Sequence, residues 1–548
     1  DVLSTSSKEY CHFETSQVYN EVNFLVEIGY LPGVTDNIAR SCQDAFKLKG
    51  HDLECFSSEL IAINFLENSD VTKNDIEKIC ESLMYNKLIQ SLKIYDQKEL
   101  ATGERFTNIS VPAVNISHST GFDYISLDDG DDYLEDLSKE RCLALTLDEM
   151  KVIKAHYEVS SIQDSRGMVG LENKPTDIEL EVLAQTWSEH CKHKIFAANI
   201  DYVDEVSGKT KKINSLYKSY IKQATKDIGS DFLISVFSDN AGIVRFDQKI
   251  DVCIKAETHN SPSALDPYGG ALTGILGVNR DIMGCGLGAK PIANTNVFCV
   301  GEMNLPSVIG EDNMPKGLME PAKILKGIHA GVRDGGNKSG IPTVNGAMFF
   351  DDSYAGKPLV FCGTVGVMPP KLKDGRDSKL KGAAVGDFVY VAGGSVGADG
   401  IHGATFSSLD LNEDSPATAV QIGDPITQKR VLDFLLEARD AGLFTCVTDN
   451  GAGGISSSIG EMATLTNGCT IDLAKNPVKY PGLSPWEIMI SESQERMTFA
   501  VAKENAKAFE ELAQKRNVNV SNLGEFNDSG FLDMFYEKQR VGRSEELV

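Results

Sequence analysis

The chain has 548 residues, with 79 acidic against 53 basic side chains and a formal charge of −26. That length calls for several domains, since single cores mostly hold about 100–150 residues. Such a negative field repels nucleic-acid phosphates, and no apolar run approaches the ~18–20 residues of a membrane span. Twelve scattered cysteines without a Cys-x-x-Cys pair exclude a zinc ribbon or disulfide scaffold and fit a reducing, cytoplasmic setting.

Residues 1–100 predict a small α+β unit. "VNFLVEI" from Val22 reads as a strand, and Pro32-Gly33 as a turn. Ile38, Cys42, Ala45 and Phe46 follow at helical spacing. "LIAINFL" (Leu60 to Leu66) is a second strand, Thr72 with Asp75 caps a helix striped by Ile76, Ile79, Cys80 and Leu83, and "LIQSLKI" closes the unit. This order suggests a ferredoxin-like sandwich with a structural or assembly role. Residues 101–195 read as a linker, its acidic run "SLDDGDDYLEDLSKE" a solvated tether, with helical structure from about Leu145. A Gly-rich α/β region (196–375) and a second α/β region (376–548) follow, with a break near "KLKDGRDSKLKGAAVGD".

Four stretches carry candidate chemistry. In the first, Thr176 and Glu179 form a capping box, and Leu180, Leu183, Ala184 and Trp187 mark the buried stripe of a helix that continues into "SEHCKHK". His190 and His193 are three apart on one expected face, open to three readings: zinc ligands, an ordinary helix end, or a catalytic one. In the second, "DVCIKAETHNSPSALDPYGG", Val252, Ile254 and Ala256 alternate toward a core. The opposite parity puts Lys255, Glu257 and His259 on one polar strand face, suited to phosphate, Mg²⁺ and proton transfer. Arg280-Asp281 beyond it adds a guanidinium fork and a hard oxygen donor. In the third, Asp449 ends a strand (Phe444 to Thr448), and Gly451, Gly453 and Gly454 offer an anion nest at a helix start. In the fourth, "PWEIMISESQERM", Ser491 to Arg496 is densely polar and reads equally well as a surface loop.

Taken together, "WSEHCKHK", "KAETHNSPSALDPYGGALTGI", "NRDI", "GAKPIA", "GADGIHGATFSS", "QIGDP", "DNGAGG" and "PWEIMISESQERM" occur in one order that resembles the synthetase part of the phosphoribosylformylglycinamidine synthase family, from about Leu145 onward. The N-terminal region resembles that family's small accessory subunit. The resemblance implies an α+β chain: a ferredoxin-like domain, a linker, then an A-domain/B-domain pair of the aminoimidazole ribonucleotide synthase-like superfamily. It implies ATP-dependent conversion of formylglycinamide ribonucleotide to formylglycinamidine ribonucleotide in purine biosynthesis, with ammonia from a glutaminase domain or subunit.

By the same resemblance His190 and His259 are catalytic, Lys255 and His193 contact ATP, and Glu257, Asp281 and Asp449 bind Mg²⁺. Thr258, His259, Asn260, Ser261, Arg280, Gln421, Glu492, Ser493 and Gln494 contact the substrate. This sequence departs from the family's usual "HNHP": Ser261 stands where a second histidine is expected, which leaves His259 as the acid/base. One A-like and one B-like region imply an N-terminal half or one chain of a split enzyme, working with a complementary half or as a homodimer. The competing expectations are a catalytically silent assembly module and a cousin of aminoimidazole ribonucleotide synthase; the "WSEHC" box and the N-terminal unit argue against the cousin.

Overall fold

The computed structural model describes residues 22–65, 70–102, 111–112, 114, 121–304, 319–407 and 421–545, and the chain divides into two compact units, 1–115 and 116–548. In the first unit, strands β1 (Phe24–Tyr30), β2 (Ser58–Ile63) and β3 (Gln90–Asp96) form an antiparallel sheet of order β2-β1-β3, with helices α1 (Asn37–Leu48), α2 (Lys73–Leu83) and α3 (Gln97–Thr102). Phe24, Val26 and Ile28 pack on Ile76, Cys80 and Ile94, while Leu25 turns to Leu100 on the other face. The Thr72–Asp75 capping box forms as its spacing predicts. Of the expected α2 stripe only Ile76 and Cys80 are buried; Ile79 and Leu83 stay exposed. The described residues supply three strands, one fewer than a complete ferredoxin-like sandwich. Leu66, the last residue of the expected second strand, lies outside them.

The second unit opens with helices α4 (Asp131–Glu140), α5 (Leu147–Tyr157), α6 (Ser160–Met168), α7 (Asp177–Thr186) and α8 (Glu189–Lys192). The acidic run is no tether: Asp131 and Asp132 occupy the first turn of α4, where acids suit the positive helix end, and Leu134 and Leu137 join a core with Met150, Ile153, Leu180 and Ala184. After the hairpin β4 (Asn199–Val203) and β5 (Thr210–Asn214) comes α9 (Gln223–Ile228), then a six-stranded sheet. It holds β6 (Leu233–Ser235), β7 (Gly242–Arg245), β8 (Asp251–Thr258), β9 (Lys290–Val300), β10 (Thr343–Phe350) and β11 (Leu359–Met368) in the order β10-β9-β11-β8-β7-β6. Between β8 and β9 run α10 (Asn260–Leu265) and the long, almost wholly buried α11 (Pro267–Gly284); α12 (Pro321–Ser339) packs on α11. Gly331 makes that packing possible, because a Cβ there would strike the Tyr268 carbonyl oxygen.

A seven-stranded sheet of order β13-β15-β12-β16-β14-β17-β18 follows, from β12 (Phe388–Gly393), β13 (Cys446–Asp449), β14 (Cys469–Asp472), β15 (Arg496–Val501), β16 (Val520–Phe526), β17 (Phe531–Tyr536) and β18 (Gln539–Glu545). The short helix α13 (Gly403–Ser407) comes after β12. Helices α14 (Pro425–Asp440) and α17 (Ala506–Lys515) supply Phe434, Leu435 and Phe509 to one face, against Tyr390, Phe444 and Phe499. The other face meets α7, α15 (Gly454–Ala463) and α16 (Pro485–Ile490) through Ile178, Val182, Ile455, Ile459 and Ile488. Burial on both faces explains why β12 and β15 read as near-continuous apolar runs.

Candidate active site

The parity of β8 turns out opposite to its apolar reading. Ile254 is 54% exposed, whereas Asp251 and Cys253 are buried on the face toward α11. Lys255 and Glu257 share that inner face near its open end, where both keep partial solvent access and pair with each other. Lys255 Nζ lies 3.1 Å from Glu257 and 3.3 Å from Asp281 of α11. Against the cost of burial, Asp281 and Glu257 raise the Lys255 ammonium above its ordinary range. Against the same cost, Lys255 holds the Glu257 carboxyl below its ordinary value. His259 does not extend the strand: β8 ends at Thr258, and His259 caps α10 with φ −125°. Its ring still reaches Glu257's field, and burial pushes it down to about 4. Its Nδ1 is buried without a hydrogen-bond partner.

Arg280 and Asp281, adjacent on α11, point to different neighbours. Arg280 Nη1 donates to Gln494 Oε1 at 2.5 Å and its Nε faces Asp449 at 3.8 Å. Gln494 donates to Gln421 (2.7 Å), and Gln421 donates to Glu492 (2.6 Å). Glu492 Oε1 accepts from the backbone N–H groups of Gly453 and Ala404, both at 3.1 Å. The glycine turn is therefore no vacant anion nest, because Glu492 already fills it. Gly454 (φ +60°) is required there, since a Cβ would collide with the Ser491 carbonyl. The polar run Ser491–Arg496 is not a surface loop either; all six residues are at most 4% exposed. Burial pushes Glu492 up to about 7 and Glu495 to about 8.

Asp281 and Asp449 come from the two sheet regions and meet through Asn240, whose amide donates to Asp281 at 3.2 Å and Asp449 at 2.8 Å. Lys381 fixes that amide by donating to its oxygen at 3.0 Å. Burial, then the neighbouring Asp449 charge, raises the Asp281 carboxyl well above the usual range; burial also raises Asp449. Sequence reasoning missed Asn240 and Lys381. The signal for Asn240 was "SDNAG", an Asp-Asn step between two strands; Lys381 sat in the segment read only as a break.

The helix before His190 also ends sooner than its spacing predicts. α7 stops at Thr186, and Ser188 caps the separate short α8, its Oγ accepting from Cys191 N at 3.3 Å. His193 closes α8 in the left-handed region (φ 52°), so the two histidines do not share one helix face. His190 keeps solvent access but is crowded by protein; that crowding, opposed by Glu257 and aided by His193 and Lys255, holds its imidazole below the ordinary histidine value.

The structure thus gathers His190, Lys255, Glu257, His259, Arg280, Asp281, Asp449, Gln421, Glu492 and Gln494, with His193 beside His190. Three others serve structure where they stand. Asn260 accepts from Val360 N at 2.9 Å, Ser261 donates to the Ser407 carbonyl at 3.1 Å, and Ser493 donates to Asp399 at 2.8 Å. Thr258 is exposed at the end of β8. Among the described residues, no three His, Cys, Asp or Glu side chains converge as a ready metal cluster. The Lys255 ammonium and the Asn240 amide lie between the three carboxylates. The donor set is nonetheless one of hard oxygens, and a divalent cation would relieve the repulsion between Asp281 and Asp449.

Three family models match in series: the formylglycinamide ribonucleotide amidotransferase linker domain at residues 134–194, and the N-terminal and C-terminal domains of AIR synthase related protein at 238–368 and 384–537. The phosphoribosylformylglycinamidine synthase subunit PurL of Thermoplasma acidophilum is 35% identical over 424 residues, 77% of this chain and 50% of that protein. The chain belongs to the phosphoribosylformylglycinamidine synthase family. The corresponding subunit of Chlorobium chlorochromatii is 35% identical over 72% of this chain and 48% of its own length. T. maritima PurL, solved in complex with FGAR, superposes with a TM-score of 0.53 and 30% identity over 69% of this chain and 54% of that one. The chain spans about half the length of the curated relatives it matches. No helix among the described residues is long and apolar enough to cross a membrane.

Proposed function

We propose that this cluster binds formylglycinamide ribonucleotide and ATP and contributes catalytic groups to amidine formation within de novo purine biosynthesis, using ammonia released from glutamine by a partner. The observation that carries this is the relay Arg280–Gln494–Gln421–Glu492, which joins α11 to the buried polar loop directly beside the Lys255–Glu257–Asp281 cluster. In this reading the relay and Arg280 hold the substrate, and Lys255, with His193 at the rim, holds ATP phosphates. A bond forms between the substrate's amide oxygen and the γ-phosphorus as the bond to ADP breaks; ammonia then attacks the activated carbon and phosphate leaves. His259, neutral at pH 7 and with a free Nδ1, accepts the proton that the attacking nitrogen loses. His190 faces the same charges from the edge of the cluster and orients the reacting amide. Asp281, Asp449 and Glu257 would hold Mg²⁺, which supplies neutralisation of phosphoryl oxygens.

A complementary half or second copy fits the outer face of the six-stranded sheet. By the strand register Ile254 and Phe349 share that face and are 54% and 57% exposed, large apolar side chains left open to a partner. The FGAR complex of T. maritima PurL supports the substrate assignment, its ATP complex the nucleotide, and the PurLQS structure from the same organism a multisubunit setting. The test is turnover of formylglycinamide ribonucleotide with ATP, Mg²⁺ and ammonium, with the chain alone and mixed with a complementary synthetase half. Amidine product in the mixture supports the reading. Inactivity in both, beside a working intact relative, overturns it and favours a catalytically silent assembly module.

A further inference from the structure

His402 lies in the loop before α13, is 9% exposed and adopts a left-handed backbone (φ 59°). A non-glycine residue in the left-handed region is strained and is held there by its surroundings. The surroundings are specific. His402 Nε2 meets Glu181 Oε2 of α7 at 2.8 Å, and its ring stacks on Trp486 of α16 at 6.1 Å and 19°. Arg141 takes the other Glu181 oxygen at 2.9 Å and sits over the Trp486 ring. Two residues on, Ala404 N–H donates to Glu492, the far end of the relay that ends at Arg280. Thr405 reaches back to Gln185 of α7 at 3.3 Å.

We propose that His402 is a positioning residue: clamped between Glu181 and Trp486, it sets the loop so that Ala404 N–H orients Glu492 and, through it, the substrate-binding relay. This rests on the proposed substrate site. It does not rest on a general docking role, because Arg141 still pairs with Glu181 when the imidazole is removed, so the linker helices keep their anchor.

Two measurements on the full chain test it. Hydrogen exchange at the Ala404 amide, without ligand, is expected to speed up in His402→Ala and to return toward wild type in His402→Gln, whose amide N–H can still reach Glu181. Calorimetric titration with formylglycinamide ribonucleotide is expected to show about tenfold weaker binding for His402→Ala and near-native binding for His402→Gln, the loss of one buried charge-assisted hydrogen bond. Unchanged Ala404 exchange in His402→Ala, or equal impairment of both variants, overturns the clamp. Wild-type chain that fails to bind the nucleotide overturns the functional reading instead, and with it the link from clamp to substrate; the exchange result then judges the clamp alone.

Discussion

The two large sheets of the second unit solve the same problem differently. The seven-stranded sheet is sealed on both faces, by α14 and α17 on one side and α7, α15 and α16 on the other. The six-stranded sheet is covered on one face, by α11, and there the chain sets paired charge at the edge of its core: partly exposed Lys255 and Glu257 beside buried Asp281. Its inner face also holds Ile243, Cys253 and Met368 against that helix, while Ile254 faces outward. An apolar seal needs no partner atoms of particular type, whereas the charged face is stable only as a paired network. That network is adjustable by ligands in a way the sealed core is not.

The contrast is broken most directly by placing a charge on each sheet. Val391→Asp, in the doubly covered β12, is expected to cost about 4 kcal/mol or more in urea denaturation, because a lone carboxylate has no partner there. Ile254→Asp on the open face is expected to stay within about 0.5 kcal/mol of wild type, while weakening association with a complementary half in light scattering. Equal destabilisation would mean the two faces do not differ as described.

At the seam between the sheets, Arg280→Ala is expected to weaken binding of formylglycinamide ribonucleotide about a hundredfold, since Gln494 and Asp449 both lose their cation. Calorimetry reads this.

Glu495 sharpens the energetic side. Its carboxyl is raised from 4.5 to about 8, burial being the main cause. The folded chain therefore holds a proton that the unfolded chain releases, and stability from this group is full below about 4.5 and declines as pH rises toward 8. Glu495→Gln is expected to flatten that decline, so its thermal midpoint gains on wild type from pH 5 to pH 8. Parallel curves would refute the buried, neutral carboxyl. The smallest loss expected of a buried group belongs to the linker. Thr176→Ala removes the α7 capping box and is expected to cost about 1 kcal/mol by the same denaturation assay.

Much of this is legible in the sequence. Capping boxes at Thr72–Asp75 and Thr176–Glu179 depend on side chains three residues apart, so local spacing suffices. Lys255 and Glu257 share a face because a strand repeats every two residues, and Asp449 ends its strand as its context predicts. Other readings fail for reasons beyond the local chain. Alternation assigns Ile254 to a core, but it does not say which face a helix will cover. The same alternation extends the strand to His259, yet Asn260 turns the chain by accepting from Val360 N, a hundred residues away. Glu492 to Gln494 look like surface because isolated polar residues usually are; their partners, Ala404, Gly453, Gln421 and Arg280, come from four other segments.

By itself, then, the sequence determined the elements, their caps and which chemical groups were available, because propensity, capping and periodicity act over a few residues. The tertiary structure alone decided which of those groups meet. Asn240, Lys381, Asp281 and Asp449 form one network only because two sheets and the segment between them converge, and charge in such a cluster is stabilised by neighbours that no short window of sequence contains.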